Sequence, residues 1–125
     1  EHSQKILSEF SVNTNNVELK SQFLSGGNLQ KLIIGRELIT SPELLICFNP
    51  TWGLDVGAIN YIHETLIKIN EQKKSIILIS TDTDELLKLC DKICVIFKGK
   101  LSKIMDAEEV TSEKLGILMG GGEIV

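Results

Sequence analysis

Three short apolar runs constrain what this chain can fold into: Glu43–Phe48 (ELLICF), Ser75–Ser80 (SIILIS) and Ile93–Phe97 (ICVIF). Each is too short for a core helix and reads as a buried strand. Between the first two runs, Ala58, Ile59, Ile62, Leu66 and Ile69 repeat at helical spacing. Between the second and third, Leu86, Leu87 and Leu89 mark a shorter helix. This alternation predicts an α/β fold with a parallel sheet flanked by helices. Lys98-Gly99-Lys100 predicts a tight turn into a fourth strand, Leu101–Met105, closing an antiparallel hairpin. Asp106 is the expected N-cap of a last helix carrying Val110, Leu115 and Leu118. Gly120-Gly121-Gly122 reads as a frayed tail without chemistry.

Upstream, Ile6, Leu7 and Phe10 sit at helical spacing, and a polar stretch, Ser11–Asn16, follows. The pattern opens mid-helix at Glu1, as expected of an excised fragment. Leu29, Leu32, Ile33, Leu38 and Ile39 form another helical pattern, ended by Ser41-Pro42. The 125 residues suffice for one domain. A net charge of −4 and a pI of about 5.2 argue against an electrostatic nucleic-acid binder. No apolar run is long enough to span a bilayer, so any membrane role runs through a partner. Cys47, Cys90 and Cys94 lie in or beside apolar runs and read as buried thiols in a reducing compartment. His2 and His63 read as surface or half-buried histidines, and no metal site is expected.

Ser25-Gly26-Gly27, directly before a helix, is the stretch richest in chemistry. Glycines let a backbone approach a ligand, and a helix start offers free N–H groups and partial positive charge. A serine hydroxyl adds a donor. The combination suits a terminal phosphate; the plain alternative is a loop entering a helix. Pro50-Thr51-Trp52-Gly53-Leu54-Asp55 follows one strand and Ser80-Thr81-Asp82 ends another, where open α/β sheets bind ligands. Asp82, Asp84 and Glu85 read as a capped, charged first helical turn, with a metal cluster as the alternative. Trp52, the lone tryptophan, reads as a packed turn residue, with stacking on a partner or nucleotide as the alternative. Arg36 reads as paired with Glu37 or Glu43, and Lys31 as a phosphate contact or a solvated lysine.

Leu24-Ser25-Gly26-Gly27-Asn28-Leu29-Gln30-Lys31 resembles the signature motif of ABC transporter ATPases. Pro50–Ala58 resembles their D-loop and its extension, and Ser80–Leu86 with Cys90–Ile93 resembles the switch region and the next strand. The Asn-x-Gln-Lys ending is similar to the second ATPase half of tandem nucleoside and galactose/ribose-type importers. The resemblance implies the C-terminal part of a P-loop NTPase domain. Residues 1–41 would end the helical subdomain and residues 42–125 would belong to the ATPase core. It also implies ATP and Mg²⁺ in the full-length protein and head-to-tail pairing with another ATPase half. Ser25, Gly26, Gly27 and Asn28 would clamp ATP held by that partner, and Asp55 would cross the interface. Further implied partners are transmembrane permease subunits and, indirectly, a solute-binding lipoprotein, at the cytoplasmic face of the membrane.

The chain departs from the family's pattern in two ways. The P-loop GxxxxGK[ST] and the glutamine loop are absent and would lie upstream of Glu1, so the fragment alone is not expected to hold nucleotide tightly or hydrolyse it. The Asp-Glu pair that ends the family's Walker B strand is replaced by Phe48-Asn49, and the switch histidine by Thr81. Phenylalanine offers no oxygen to a hard cation, and asparagine cannot take a proton from water. The resemblance therefore implies a donor of signature loop and D-loop whose own site is non-hydrolytic. Other readings are a non-catalytic regulatory module and a soluble ABC protein without a permease. A receiver-like domain would explain the sheet but not the Ser-Gly-Gly loop.

Overall fold

The computed structural model describes residues 2–14 and 20–122. Glu1 and Asn15-Asn16 of the polar stretch lie outside the described residues, as does the side chain of His2. The chain divides into two compact units, Glu1–Ile77 and Leu78–Val125.

The first unit is built on helix α1 (His2–Glu9), helix α2 (Gly26–Leu38), strand β1 (Leu44–Phe48) and helix α3 (Val56–Glu71). Strand β2 (Ser75–Ile79) pairs with β1. The Ser75 amide donates to the Glu43 carbonyl at 2.9 Å, so the two strands start side by side and run parallel. A parallel pair needs a crossover, and α3 supplies it. Its apolar stripe turns Ala58, Ile62, Leu66 and Ile69 inward, and His63 lies among them, 6% exposed. His63 is therefore a buried histidine, not a surface one. The expected two-sided burial of the strands does not occur. On β1 only Leu45 and Cys47 are buried, while Leu44, Ile46 and Phe48 face outward, and β2 has no buried residue. A two-stranded sheet carries a period-2 pattern when one face alone is covered.

α1 lies on α2 through the absence of a side chain. A Cβ at Gly35 would stand 2.7 Å from Phe10 Cδ2 and 2.8 Å from Ile6 Cγ2. α2 meets α3 in the same way: a Cβ at Gly27 would stand 2.9 Å from Ala58 Cβ. The Tyr61 hydroxyl of α3 donates to the Phe10 carbonyl at 2.8 Å. The Lys31 ammonium sits 4.3 Å over the Tyr61 ring and donates to the Ser11 carbonyl, so this lysine serves the fold.

The second unit contains helix α4 (Thr83–Leu89), four two-residue strands and helix α5 (Ser112–Met119). The single third and fourth strands expected from the sequence are each broken in two. β3 (Lys92–Ile93) pairs antiparallel with β6 (Met105–Asp106), and β4 (Ile96–Phe97) with β5 (Lys100–Leu101). The Ser102 hydroxyl takes the Val95 amide at 2.9 Å, where strand pairing would otherwise continue. The hairpin at Gly99 is present. Lys98 and Gly99 have φ of 46° and 77°, the left-handed pair that a two-residue hairpin turn demands. Ile93 and Val95 point inward onto Val110 and Leu115. Cys94, between them, points out and is exposed, so only Cys47 is fully buried and Cys90 is half-buried.

α5 is capped by Thr111, whose hydroxyl accepts from the Lys114 amide at 3.2 Å. Asp106 instead precedes a 3-10 turn, Ala107–Glu109, without a side-chain cap bond. Gly120, Gly121 and Gly122 close α5 through hydrogen bonds and do not fray. The Gly121 amide donates to Leu118 O and the Gly122 amide to Ile117 O, with Gly121 at φ 84°, a Schellman stop.

Candidate functional site

Two helix starts meet in the first unit. Ser25 N-caps α2, its hydroxyl accepting from the Asn28 amide at 3.4 Å. Asp55 N-caps α3, its carboxylate accepting from the Ala58 amide at 3.0 Å. The starts touch: a Cβ at Gly26 would lie 3.4 Å from Leu54 Cδ2, and one at Gly27 would lie 4.0 Å from Asp55 Oδ2. The glycines therefore have a packing role as well as the ligand-facing role read from the sequence. The Gly26 and Gly27 amides precede the first intrahelical bond, Leu29 N to Ser25 O at 2.8 Å. With the Ser25 hydroxyl they form a donor set of the kind an anion takes. Asn28 is engaged elsewhere: its Oδ1 accepts from the Asn13 amide at 3.0 Å and its Nδ2 reaches the Asn13 carbonyl. It clamps the segment after α1 onto α2.

The strand end before Asp55 is chemically different. Phe48 is 73% exposed and contributes only carbon. Asn49 has φ 44°, a left-handed conformation asparagine tolerates better than most residues. A tight turn follows, with Trp52 N on Asn49 O and Leu54 N on Thr51 O, both at 3.2 Å. Thr51 is buried and anchors the turn. Trp52 was expected to pack within it and does not: it is 82% exposed, between buried Thr51 and exposed Gly53.

In the second unit, Thr81 is exposed just before α4. The Asp82 carboxylate accepts from the amides of Asp84 and Glu85 at 3.0 and 3.1 Å, so the acidic run is the capped first turn. Among the described residues no group of His, Cys, Asp and Glu could hold a metal ion. Arg36 pairs with Glu37 through Nε and Nη2, as expected, and Glu43 pairs instead with Lys74.

Sequence reasoning missed the tie between Tyr61 and Phe10, and the cleft of about 430 Å³ beside it, lined by Phe10, Leu38, Tyr61 and Lys68. The only signal was spacing: Tyr61, Thr65, Lys68 and Gln72 share one side of α3.

No protein-family model matches the chain. The nucleoside import ATP-binding protein NupA of Lactococcus lactis is 45% identical over 123 residues, 98% of this chain and 24% of that protein. The chain is homologous to the ATP-binding proteins of ABC importers. The guanosine import ATP-binding protein NupO of Bacillus subtilis is 41% identical over 119 residues, 95% of this chain and 23% of its own length. Sugar import ATP-binding proteins match over a similar stretch. The chain thus spans about a quarter of the length of the curated relatives it matches. The ABC fold is matched as well. A dimeric ATP-binding cassette in a post-hydrolysis state with ADP and Pi superposes with a TM-score of 0.73 at 23% identity, covering 85% of this chain and 46% of that one. Among the described residues no helix is long and apolar enough to cross a membrane.

Proposed function

We propose that this chain is the signature-bearing part of the ATP-binding protein of an ABC importer, and that the solute is a nucleoside. In this reading residues 1–41 end the helical subdomain and residues 42–125 belong to the ATPase core. The parent protein hydrolyses ATP to drive import, at the cytoplasmic face of the membrane, peripherally, on permease subunits supplied by a solute-binding lipoprotein. The names of the two relatives above support the nucleoside.

The observation that carries the reading is the Ser25–Gly27 helix start seated against the Asp55 helix start. The Ser25 hydroxyl and the Gly26 and Gly27 amides fit the terminal phosphate of an ATP held by a partner ATPase half. Paired helix starts add their partial positive ends there, while Asp55 keeps its own carboxylate on the Ala58 amide. The strand end does not fit Mg²⁺, because Phe48 offers no oxygen ligand. Asn49 can orient water but cannot deprotonate it. The chain thus serves the partner's ATP and leaves its own site without hydrolysis.

Comparing changes at two positions of the parent tests this. Ser25→Arg places charge and bulk in the phosphate clamp and should abolish most turnover. Ser25→Asp keeps a competent N-cap, so its loss of turnover would come from charge repulsion and not from unfolding. Asn49→Gly, chosen over alanine because of the positive φ, should leave turnover nearly unchanged. Equal losses at the two positions would sink the asymmetry.

A further inference from the structure

The first turn of α2 is weakly held by its own bonds. Gly26 and Gly27 follow each other there, and glycine restrains its backbone least. The cap bond from the Asn28 amide to the Ser25 hydroxyl is 3.4 Å, long for its kind. The Asn28 side chain supplies the missing hold. Its Oδ1 accepts from the Asn13 amide at 3.0 Å, and its Nδ2 donates to the Asn13 carbonyl at 3.5 Å. Asn13 in turn stands on a fixed post, because the three residues before it are each held. Phe10 O takes the Tyr61 hydroxyl at 2.8 Å, Ser11 O takes the Lys31 ammonium at 3.4 Å, and Val12 is buried. Tyr61 belongs to α3, so the grip on Asn28 reaches back to the helix that Asp55 caps. All of these bonds are internal to the first unit.

We propose that Asn28 is a positioning residue for the phosphate clamp: its side chain pins the first turn of α2 to Asn13, and its main-chain N–H orients the Ser25 hydroxyl. A hydroxyl has one proton to donate and accepts through its oxygen. With the Asn28 N–H on that oxygen, the Ser25 proton is left to point at an anion. Asn28 then acts through Ser25, Gly26 and Gly27 and needs no contact with ATP. This rests on the reading of Ser25–Gly27 as a clamp on the partner's ATP.

In the parent protein the bond can be cut from either side. Asn28→Ala removes the side chain. Asn13→Pro removes the N–H that Asn28 accepts from and leaves Asn28 intact. Position 13 suits proline: the Thr14 amide donates to Val12 O at 2.9 Å and φ at Asn13 is not positive, an inverse γ-turn whose central φ is about −75°. Each change should lower kcat about fivefold, the worth of one ordinary hydrogen bond, and leave KM for ATP within about twofold. The double variant should lose about as much as Asn28→Ala alone, because both changes cut the same bond. A raised KM in Asn28→Ala, with Asn13→Pro normal in both constants, would make Asn28 a direct contact of ATP and overturn the proposal. A lowered Tm with normal kcat and KM would reduce the bond to a structural tie and overturn it as well. So would losses that multiply in the double variant. If Asn13→Pro does not fold, the split between kcat and KM in Asn28→Ala, read beside its Tm, decides. In all these outcomes Ser25→Arg still abolishes turnover; if it does not, the clamp itself fails.

Discussion

The corner where α2 meets α3 and the segment that closes the chain are held together on opposite principles. At the corner and on the neighbouring α1 side of α2, side chains are left out: Gly27 has no room for a Cβ against Ala58, and Gly35 none against Ile6 and Phe10. In the closing segment, polar groups are put in: Thr111 caps α5, the Ser102 hydroxyl takes the Val95 amide, and a left-handed pair turns the hairpin. The corner must hold backbones close where the Ser25 and Asp55 helix starts meet. The closing segment must only finish a small core around Ile93, Val95, Val110 and Leu115. Packing therefore rests on glycines in one region and on polar side chains in the other.

The widest separation between the two regions comes from adding carbon at glycines. Gly35→Val should destabilise by about 3 kcal/mol, the upper range for overpacking, because Ile6 and Phe10 cannot both withdraw. Gly116→Ala, in α5, should instead stabilise by roughly 0.5–1 kcal/mol, since nothing lies within 4 Å of a Cβ there. Urea unfolding of the two variants reads both signs at once. A tolerated Gly35→Val would mean that α1 can lift from α2 at little cost, and the comparison would break.

Next in size is Thr111→Ala, expected to cost about 1 kcal/mol through loss of the N-cap. Asp106→Ala should cost less, since Asp106 makes no cap bond and its carboxylate meets Lys92 on an exposed cross-strand pair. That pair, with Asp106 first, holds the Lys92 ammonium above its usual pKa. Its small contribution is present at neutral pH and fades as pH rises through the raised value. Thermal melts of both variants decide which residue starts α5. A larger loss at Asp106 would restore the cap expected from the sequence. Tyr61→Phe should cost a comparable 1 kcal/mol by orphaning the Phe10 carbonyl, measured the same way.

What the sequence made legible follows from the length of each pattern. α3 repeats its apolar stripe over sixteen residues and was readable throughout, as was the strand–helix–strand path. The start of α2 was readable because Ser-Gly-Gly stands directly before a helical pattern. In the second unit the two helices and the hairpin at Gly99 were readable, but the strand breaks were not, because two-residue strands carry no periodicity: ICVIF has the composition of one strand and the structure of two ends. Asp106 is the cap read from the sequence, but a 3-10 turn follows it and Thr111 caps α5 instead. Trp52 failed for another reason. Composition favours a tryptophan with much of its surface buried, whereas this one stands 82% exposed in a turn.

The finest distinction is among the thiols, where the two regions differ by accessibility alone. Cys94 is exposed, Cys90 is half-buried and Cys47 is buried in β1. Burial pushes the Cys90 thiol above its usual range, and the charges of Asp91 and Glu85 push the same way. The thiolate is the reactive form, so a raised pKa lowers the reactive fraction at any pH below it. A maleimide titration read by mass spectrometry at pH 7.5 should modify Cys94 first and Cys90 more slowly, with Cys47 reacting only when the first unit opens. The Cys90 rate should keep climbing as pH rises past 9.0, the ordinary value from which it is raised. The sign for stability follows: the fold keeps a proton that the unfolded chain releases, so this contribution is complete below the unfolded pKa and is lost as pH climbs through the folded one. Equal rates at Cys90 and Cys94 would mean that the small core beside α4 opens as readily as the surface, and that the closing segment is held even more loosely than its caps imply.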